Sequence, residues 1–192
     1  MKKKIIGLLV ILSIMAAVPL IFNNYKGADS AKPAKNNTLS KEESVITNAA
    51  AYIFRKHYSG ETMKAAIIIL NSNYKVNKIK KDECISRADF IKKYKDGEKY
   101  YSNLEKYTNE LKDDYITYKN KPVYIPCFKV SKGYTEKDKK YPYLKAAACP
   151  WDRLKKDSKN SENAVGISIN TVDKLCKNGF NYKQAVEYFL NV

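Results

Sequence analysis

The side chains with the most distinctive chemistry in this sequence are four cysteines and a single histidine, His57. The cysteines are Cys84, Cys127, Cys149 and Cys176, and no two of them form a C-x-x-C pair. Because a structural zinc site needs closely spaced cysteine and histidine ligands, this spacing does not predict one. The cysteines can remain free thiols or form one disulfide, and spacing alone does not choose among the three possible pairings.

Acidic and hydroxyl side chains are plentiful, but none of them lies in a common catalytic signature. The sequence contains no phosphate-binding loop, no H-E-x-x-H pair and no G-x-S-x-G turn. These absences argue against a P-loop nucleotide enzyme, a zinc peptidase and an α/β-hydrolase. No cofactor is expected.

A positive cluster followed by an apolar run begins the chain. Lys2, Lys3 and Lys4 precede Ile5–Phe22, a run of 18 residues without charge. As a helix this run is about 27 Å long, against a hydrocarbon core of roughly 30 Å. The lysines favour an N-terminus on the cytoplasmic side. We therefore predict a membrane anchor over residues 1–22, with the remainder of the chain outside the membrane.

The alternative is a signal peptide that is removed after export, which would leave a secreted protein. Ala28 and Ser30 are the only tolerable pair of small residues for a cleavage site, and they lie well beyond the apolar run. The polar segment 23–39 is predicted to link the anchor to one domain, residues 40–192.

The net charge of the protein restricts its partners. The whole chain carries +16, and removing the four lysines of residues 1–26, which contain no acidic side chain, leaves +12. A basic protein outside the membrane meets anionic lipid and the polyanionic polymers of a cell wall. Anionic lipid or anionic wall polymers are therefore the expected partners, and nucleic acid is not.

Helical patterns occupy both ends of the predicted domain. Ser40 and Glu43 match a capping box, and apolar residues then recur at helical spacing up to Phe54. Five further helices are predicted, beginning near Glu61, spanning 87–95 and 98–112, ending before Gly179, and beginning after Asn181.

Between these helices the sequence favours strands. Tyr115–Tyr118 and Val123–Val130 are rich in strand-forming residues, and Lys119-Asn120-Lys121 is a turn signal between them. They predict a hairpin, and Tyr143–Ala148 predicts a further short strand. The predicted fold class is α+β, with an N-terminal membrane-anchor helix and then one domain in which helices flank a small antiparallel β region.

Several stretches resemble, in order, motifs of the stage II sporulation protein D and amidase-enhancer family of bacterial cell-wall proteins. In the first half of the domain, Glu61–Ala66 with Asn73-Tyr74 is similar to E-A-L-K-A-Q and R-T-Y, and Ile116–Pro122 is similar to L-T-Y-N-G-K-P. Next along the chain, Ser131–Glu136 is similar to S-G-G-x-T-E, and Pro142–Leu144 with Pro150–Asp152 is similar to P-Y-L and S-P-W-D. Near the C-terminus, Val165–Ser168 with Lys177–Gly179 is similar to V-G-M-S and K-x-G. The resemblance covers nearly all of the predicted domain.

The resemblance implies action on peptidoglycan. The family's enzymes are lytic transglycosylases, which cut glycan strands without water and leave an anhydro sugar, and a glutamate at the end of the first helix is the expected general acid and base. By the family's spacing this position is Ile53 here, or Tyr52 after a slip of one residue, and neither side chain can transfer the proton. The histidine and glutamine of the family's H-G-V-G-M-S-Q stretch are replaced by Asn163 and Ile169. No catalytic residue is therefore assigned.

The resemblance also implies a glycan groove. Its candidate residues are Ser131, Gly133, Tyr134, Thr135, Glu136, Trp151, Asp152 and Ser168. The indole of Trp151 suits stacking on a sugar ring, and packing in the core suits it equally.

Two functions from different classes follow. The favoured one is a membrane-anchored extracytoplasmic protein of sporulation or cell-wall remodelling that binds glycan or partner proteins without cleaving. A third interpretation is a wall-associated scaffold that retains only the fold. The alternative is an active lytic transglycosylase with a displaced carboxylate, Glu61 or Glu43. Simpler roles exist for both, because Glu61 is in the first turn of a helix and Glu43 belongs to a capping box.

Overall fold

The computed structural model of this protein describes residues 39–54, 58–154 and 165–191. Within these ranges, no helix has both the length and the apolar character needed to cross a membrane. The predicted anchor, residues 1–22, and almost all of the predicted linker lie outside the described ranges.

The described residues form α-helices and very short strands, which confirms the α+β class. The helices are α1 (Lys41–Ile53), α2 (Gly60–Lys75), α3 (Arg87–Lys93), α4 (Gly97–Glu110), α5 (Ile169–Lys177) and α6 (Tyr182–Glu187), with a 3-10 turn at Lys81–Glu83. The strands are β1 (Thr117–Tyr118), β2 (Lys121–Pro122), β3 (Cys127–Phe128) and β4 (Ile167–Ser168).

Local capping chemistry sets where most of these helices begin. The predicted capping box is present: the Ser40 hydroxyl accepts a hydrogen bond from Glu43 N at 3.2 Å, and Glu43 Oε2 accepts one from Ser40 N at 2.7 Å. Asn181 and Gln184 form a second box at the start of α6. These side chains satisfy backbone N–H groups that have no partner within the helix.

Helix α2 is the centre of the core. It packs against α1, α4, α5 and α6, and its apolar side chains are buried around the whole circumference rather than along one stripe. Ile67 and Ile69, for example, are both 0% exposed although they point in different directions from the helix. A helix that is apolar on all sides is stable only when other elements surround it.

The hairpin between β1 and β2 is tighter than the sequence predicted. Thr117 pairs with Pro122 and Tyr118 pairs with Lys121 in an antiparallel register. The turn therefore contains only two residues, Lys119 and Asn120, with φ angles of 52° and 62°. Two successive positive φ angles are typical of the hairpin turn whose twist matches that of the strands. The predicted three-residue turn was wrong at Lys121, which lies in the strand.

The second predicted strand, Val123–Val130, does not continue this hairpin. Only Cys127 and Phe128 form a strand, and they pair in parallel with Ile167–Ser168. The prolines at 122 and 126 lack the N–H groups that a continuous ladder would need. The β region is therefore not purely antiparallel, which corrects the prediction.

The predicted strand Tyr143–Ala148 is also absent from the described structure. The segment makes two isolated antiparallel bridges, Leu144 with Leu190 and Ala148 with Tyr134. Each bridge ties it to a different part of the chain, so no continuous ladder forms.

Three buried polar side chains at the end of α2 hold the segment that follows α4. Asn71 Nδ2 donates to the carbonyl oxygens of residues 111 and 114 at 2.6 and 2.8 Å, and the Ser72 hydroxyl lies 2.8 and 2.7 Å from those of residues 116 and 123. Asn73 bonds to both backbone groups of Ile125, accepting from its N–H at 2.6 Å and donating to its carbonyl at 2.9 Å. The helix thus supplies hydrogen bonds that a larger sheet would otherwise provide.

Asn73→Ala is expected to lower the free energy of unfolding by about 2–4 kcal/mol, because both buried polar groups of Ile125 would lose their partner and each such loss costs about 1–3 kcal/mol. The measurement is equilibrium unfolding in urea. Asn109→Ala, an exposed substitution on α4, is the matched control and should change stability by less than about 0.5 kcal/mol. Equal unfolding midpoints for the two variants would contradict the structural role of Asn73.

Candidate functional site

Asp152 is the hydrogen-bonding centre of the region that the resemblance assigns to a groove. Its side chain is fully buried, with 0% exposed. Oδ2 accepts from the Ser131 N–H at 2.7 Å, from the Ser131 hydroxyl at 2.7 Å and from the Ser168 hydroxyl at 2.6 Å. Oδ1 accepts from Asn170 Nδ2 at 2.7 Å and from Thr171 Oγ1 at 3.1 Å. Five donors therefore compensate the burial of this carboxylate.

Two loops and the start of α5 converge on this carboxylate. Asp152 N donates to Cys149 O at 3.0 Å, and Cys149 N donates to Gly133 O at 2.7 Å, so backbone bonds join the two loops. Gly133 has φ +111°, which residues with a Cβ rarely adopt, and its N–H donates to Ser131 Oγ at 3.1 Å. Ser168 caps α5 while its hydroxyl donates to Asp152. Asp152 thus fixes the positions of three separate stretches of chain.

Gly166 permits the close approach of the chain just before β4. Its φ is +133°, and an added Cβ would lie 2.2 Å from the carbonyl oxygen of Pro126. The same carbonyl accepts a hydrogen bond from Ile167 N at 2.9 Å. Any side chain at this position would displace β4, and with it Ser168 and its bond to Asp152.

Half of the predicted groove residues are buried and serve as structural contacts. Ser131, Asp152 and Ser168 come together in the network described above. Thr135 is 1% exposed, and its hydroxyl bonds to the backbone of residues 145–147. None of these four side chains presents a polar group to solvent for a ligand to contact.

The other predicted groove residues keep exposed surface. Tyr134 is 54% exposed, and Gly133, Glu136 and Trp151 are half-buried. Trp151 packs against the hydrophobic core, which is the packing role that the sequence also allowed. Of the eight predicted residues, Tyr134 and the accessible parts of Gly133, Glu136 and Trp151 are those that a ligand could touch.

The position expected for a catalytic glutamate lies at the C-terminal end of α1. Ile53 is the last residue of that helix, is half-buried, and packs against the core. Phe54, which follows it, is 0% exposed. Neither Ile53 nor Tyr52 supplies a carboxyl group. His57 lies outside the described residues.

The two alternative carboxylates both have structural partners. Glu61 Oε2 accepts from the backbone N–H of Tyr182 at 2.9 Å, which ties the start of α2 to the start of α6, and Glu61 Oε1 pairs with Lys64 at 3.2 Å. Glu43 is held in the capping box with Ser40. These contacts account for both residues without a catalytic role.

Sequence reasoning missed a third carboxylate, Asp173 on α5. It is 5% exposed, and it accepts from Thr62 Oγ1 at 3.1 Å and pairs with Lys177 at 2.5 Å. Burial, and after it the negative charge of Asp173, raises the pKa of Tyr58 and of Tyr100. The four-residue spacing of Asp173 and Lys177 is the sequence signal that could have identified this ion pair.

The cysteines are free thiols in this structure. Burial raises the pKa of all four, to about 12 for Cys127 and to about 11 for Cys176. They are therefore protonated at neutral pH and weakly nucleophilic. Within the described residues, no three His, Cys, Asp or Glu side chains are grouped so that they could hold a metal ion.

Asp152→Asn is expected to lower the free energy of unfolding by about 2–4 kcal/mol, because its amide NH₂ would face donors where an acceptor oxygen is required. Chemical denaturation followed by circular dichroism measures the change. Asp82→Asn, in the exposed 3-10 turn, is the control and should leave the unfolding midpoint nearly unchanged. A stable Asp152→Asn variant would show that the five hydrogen bonds contribute little.

The chain is similar to curated proteins over part of its length. It is 40% identical over 65 residues to stage II sporulation protein D of Bacillus amyloliquefaciens, which covers 30% of this chain and 19% of that protein. It is 34% identical over 76 residues to stage II sporulation protein D of Bacillus subtilis (strain 168), which covers 35% of this chain and 22% of that protein. The match thus spans about a fifth of the length of these relatives, and no family model matches the chain. By these two similarities, the chain is related to stage II sporulation protein D.

Proposed function

We propose that this protein acts in sporulation, outside the cytoplasmic membrane, and binds peptidoglycan without cutting its glycan strands. The names of the two curated relatives support a role in sporulation. The motifs quoted above, which resemble the family along nearly the whole predicted domain, support a cell-wall ligand.

The absence of a carboxyl group at Ile53 carries the non-cleaving part of the proposal. A lytic transglycosylase must protonate the leaving glycosidic oxygen, and it uses a carboxyl group held at a defined place in the groove. Ile53 contributes only apolar contacts at that place. The contacts of Glu61, Glu43 and Asp173 give each of them a structural task instead.

The location outside the membrane rests on the N-terminal sequence. Lys2, Lys3 and Lys4 precede an uncharged apolar run, the pattern of an anchor with its following domain on the outer side. The charge of +12 on the remaining chain suits a polyanionic wall. Partner proteins of the cell wall or of sporulation are the second class of ligand in this proposal.

The full chain, purified in detergent, is expected to co-sediment with purified peptidoglycan and to release no anhydro-ended fragments. Binding should weaken as salt rises, because exposed charges are screened beyond ~8 Å at physiological ionic strength. The measurements are a sedimentation assay across a salt series and mass spectrometry of the soluble products. A known lytic transglycosylase is the positive control for product detection.

The products decide between the two functions. Anhydro-ended fragments above the level of a protein-free control would establish the alternative, an active lytic transglycosylase. Glu61→Gln, Glu43→Gln and Asp173→Asn would then identify the carboxylate. Failure of the full chain to sediment with peptidoglycan at low salt would remove glycan binding from the proposal.

Ile53→Glu is expected not to create cleavage. The family's glutamine is replaced by Ile169, which is 2% exposed and part of the core, so a second polar side chain of the family's motifs is missing besides the acid. Ile53→Gln is the matched control because it has the same size without an ionisable group. Release of anhydro-ended fragments by the Glu variant and not by the Gln variant would show that only the acid had been lost.

A further inference from the structure

Four tyrosines outside the predicted groove make ring contacts in series. The ring centroids of Tyr118 and Tyr143 are 5.6 Å apart, those of Tyr143 and Tyr141 are 6.1 Å apart, and those of Tyr141 and Tyr124 are 6.1 Å apart. We call these four residues the tyrosine strip. The hairpin and the segment after it supply Tyr118 and Tyr124, and the loop before Leu144 supplies the other two.

The middle of the strip is anchored and its ends are not part of the core. Tyr141 and Tyr143 pack against the hydrophobic core, and the Tyr143 hydroxyl donates to the carbonyl oxygen of Tyr124 at 2.6 Å. Burial raises the pKa of Tyr143 to about 12, which keeps this donor protonated. Tyr118 and Tyr124, at the two ends, are half-buried. The end rings are thus held in place by rings that are themselves fixed.

Exposed ammonium groups accompany the rings along the strip. Lys119 Nζ lies 5.4 Å from the ring centroid of Tyr118, and Lys140 Nζ lies 5.3 Å from that of Tyr141. Burial raises the pKa of Tyr124, and the nearby charge of Lys80 opposes this rise. Lys80 is itself paired with Glu83 at 3.2 Å. Tyrosine rings and lysine ammonium groups therefore form this surface. None of the ion pairs in the described residues joins Lys119 or Lys140 to a carboxylate.

We propose that the tyrosine strip is a second glycan-binding surface, which takes a glycan strand that carries carboxylates. Sugar rings can pack their C–H faces on the accessible tyrosines, and the carboxylates can pair with the lysines. The strip thus offers ring faces for the apolar faces of sugars and ammonium groups for the carboxylates of such a polymer. This inference rests on the proposed function and adds to it a surface that contains none of the eight predicted groove residues.

The test compares variants of the full chain, in detergent, for binding to fluorescent glycan strands prepared from peptidoglycan. The double variant Tyr118→Ala and Tyr124→Ala removes the rings at the ends of the strip, and we expect binding about tenfold weaker, which corresponds to about 1.4 kcal/mol. The double variant with Phe at both positions keeps the rings and should bind nearly as the parent. Tyr115→Ala, an exposed tyrosine that is 38% accessible and lies outside the strip, is the matched control.

A second pair of changes tests the charge without disturbing the rings. Lys119→Gln with Lys140→Gln alters two exposed side chains and should weaken binding and flatten its salt dependence. The parent should bind strands whose carboxylates have been converted to neutral amides less tightly than native strands. Thermal unfolding of every variant, followed by circular dichroism, checks that the fold is retained.

The outcomes separate this inference from the proposed function. If the parent does not bind glycan at all, the proposed function fails and the inference fails with it. If the parent binds but the strip variants, both the alanine pair and the glutamine pair, bind equally well, the inference alone is wrong. If the double variant Tyr118→Ala and Tyr124→Ala unfolds, the double variant Lys119→Gln and Lys140→Gln tests the inference in its place. Unchanged glycan binding by that second variant would overturn the proposal. Loss of binding in Tyr134→Ala with intact strip variants would instead locate the ligand in the predicted groove.

Discussion

The hydrogen bonding of an irregular backbone is the constraint on which this structure depends. Between α4 and α5 the described chain contains only two-residue strands, so most of its backbone groups have no partner in a ladder. Buried polar groups without partners are costly and therefore rare. Side chains with defined positions therefore take the place of neighbouring strands, and two sets of them organise the region.

The first set comes from the rigid end of α2 and the second from a single carboxylate. Asn71, Ser72 and Asn73 reach from the helix to five backbone carbonyl oxygens and one N–H group of the segment 111–125. Asp152 collects five donors from residues 131 and 168–171. Both sets connect elements far apart in sequence, so the loops that carry surface residues inherit the rigidity of the core.

This arrangement separates the residues that build the site from those that a ligand can touch. Ser131, Thr135, Asp152 and Ser168 belong to motifs that resemble those of the stage II sporulation protein D family, yet each is buried and engaged in hydrogen bonds within the protein. Their part is to hold loops, whereas aromatic surface accessible to a ligand lies at the exposed Tyr134 and at the half-buried residues of the tyrosine strip. In this chain, the family-like motifs are therefore recognised partly by residues that support the loops from inside, and not only by residues that form their surface.

The sequence by itself determined the existence of the helices, the starts of those with a clear capping signal, and the resemblance to the stage II sporulation protein D family. Capping residues such as Ser40 and Asn181 act within one turn, and apolar spacing acts within one helix, so local patterns are sufficient to find them. The sequence also placed Ile53 at the position where the resembled family is expected to carry its acid, because that position follows from counting along a motif. Only the tertiary structure decided the parallel pairing of Cys127–Phe128 with Ile167–Ser168, the burial of Asp152 and the series of tyrosine rings. Each of these joins residues separated by many positions, and the pairing of distant segments depends on how the whole core packs rather than on any local preference.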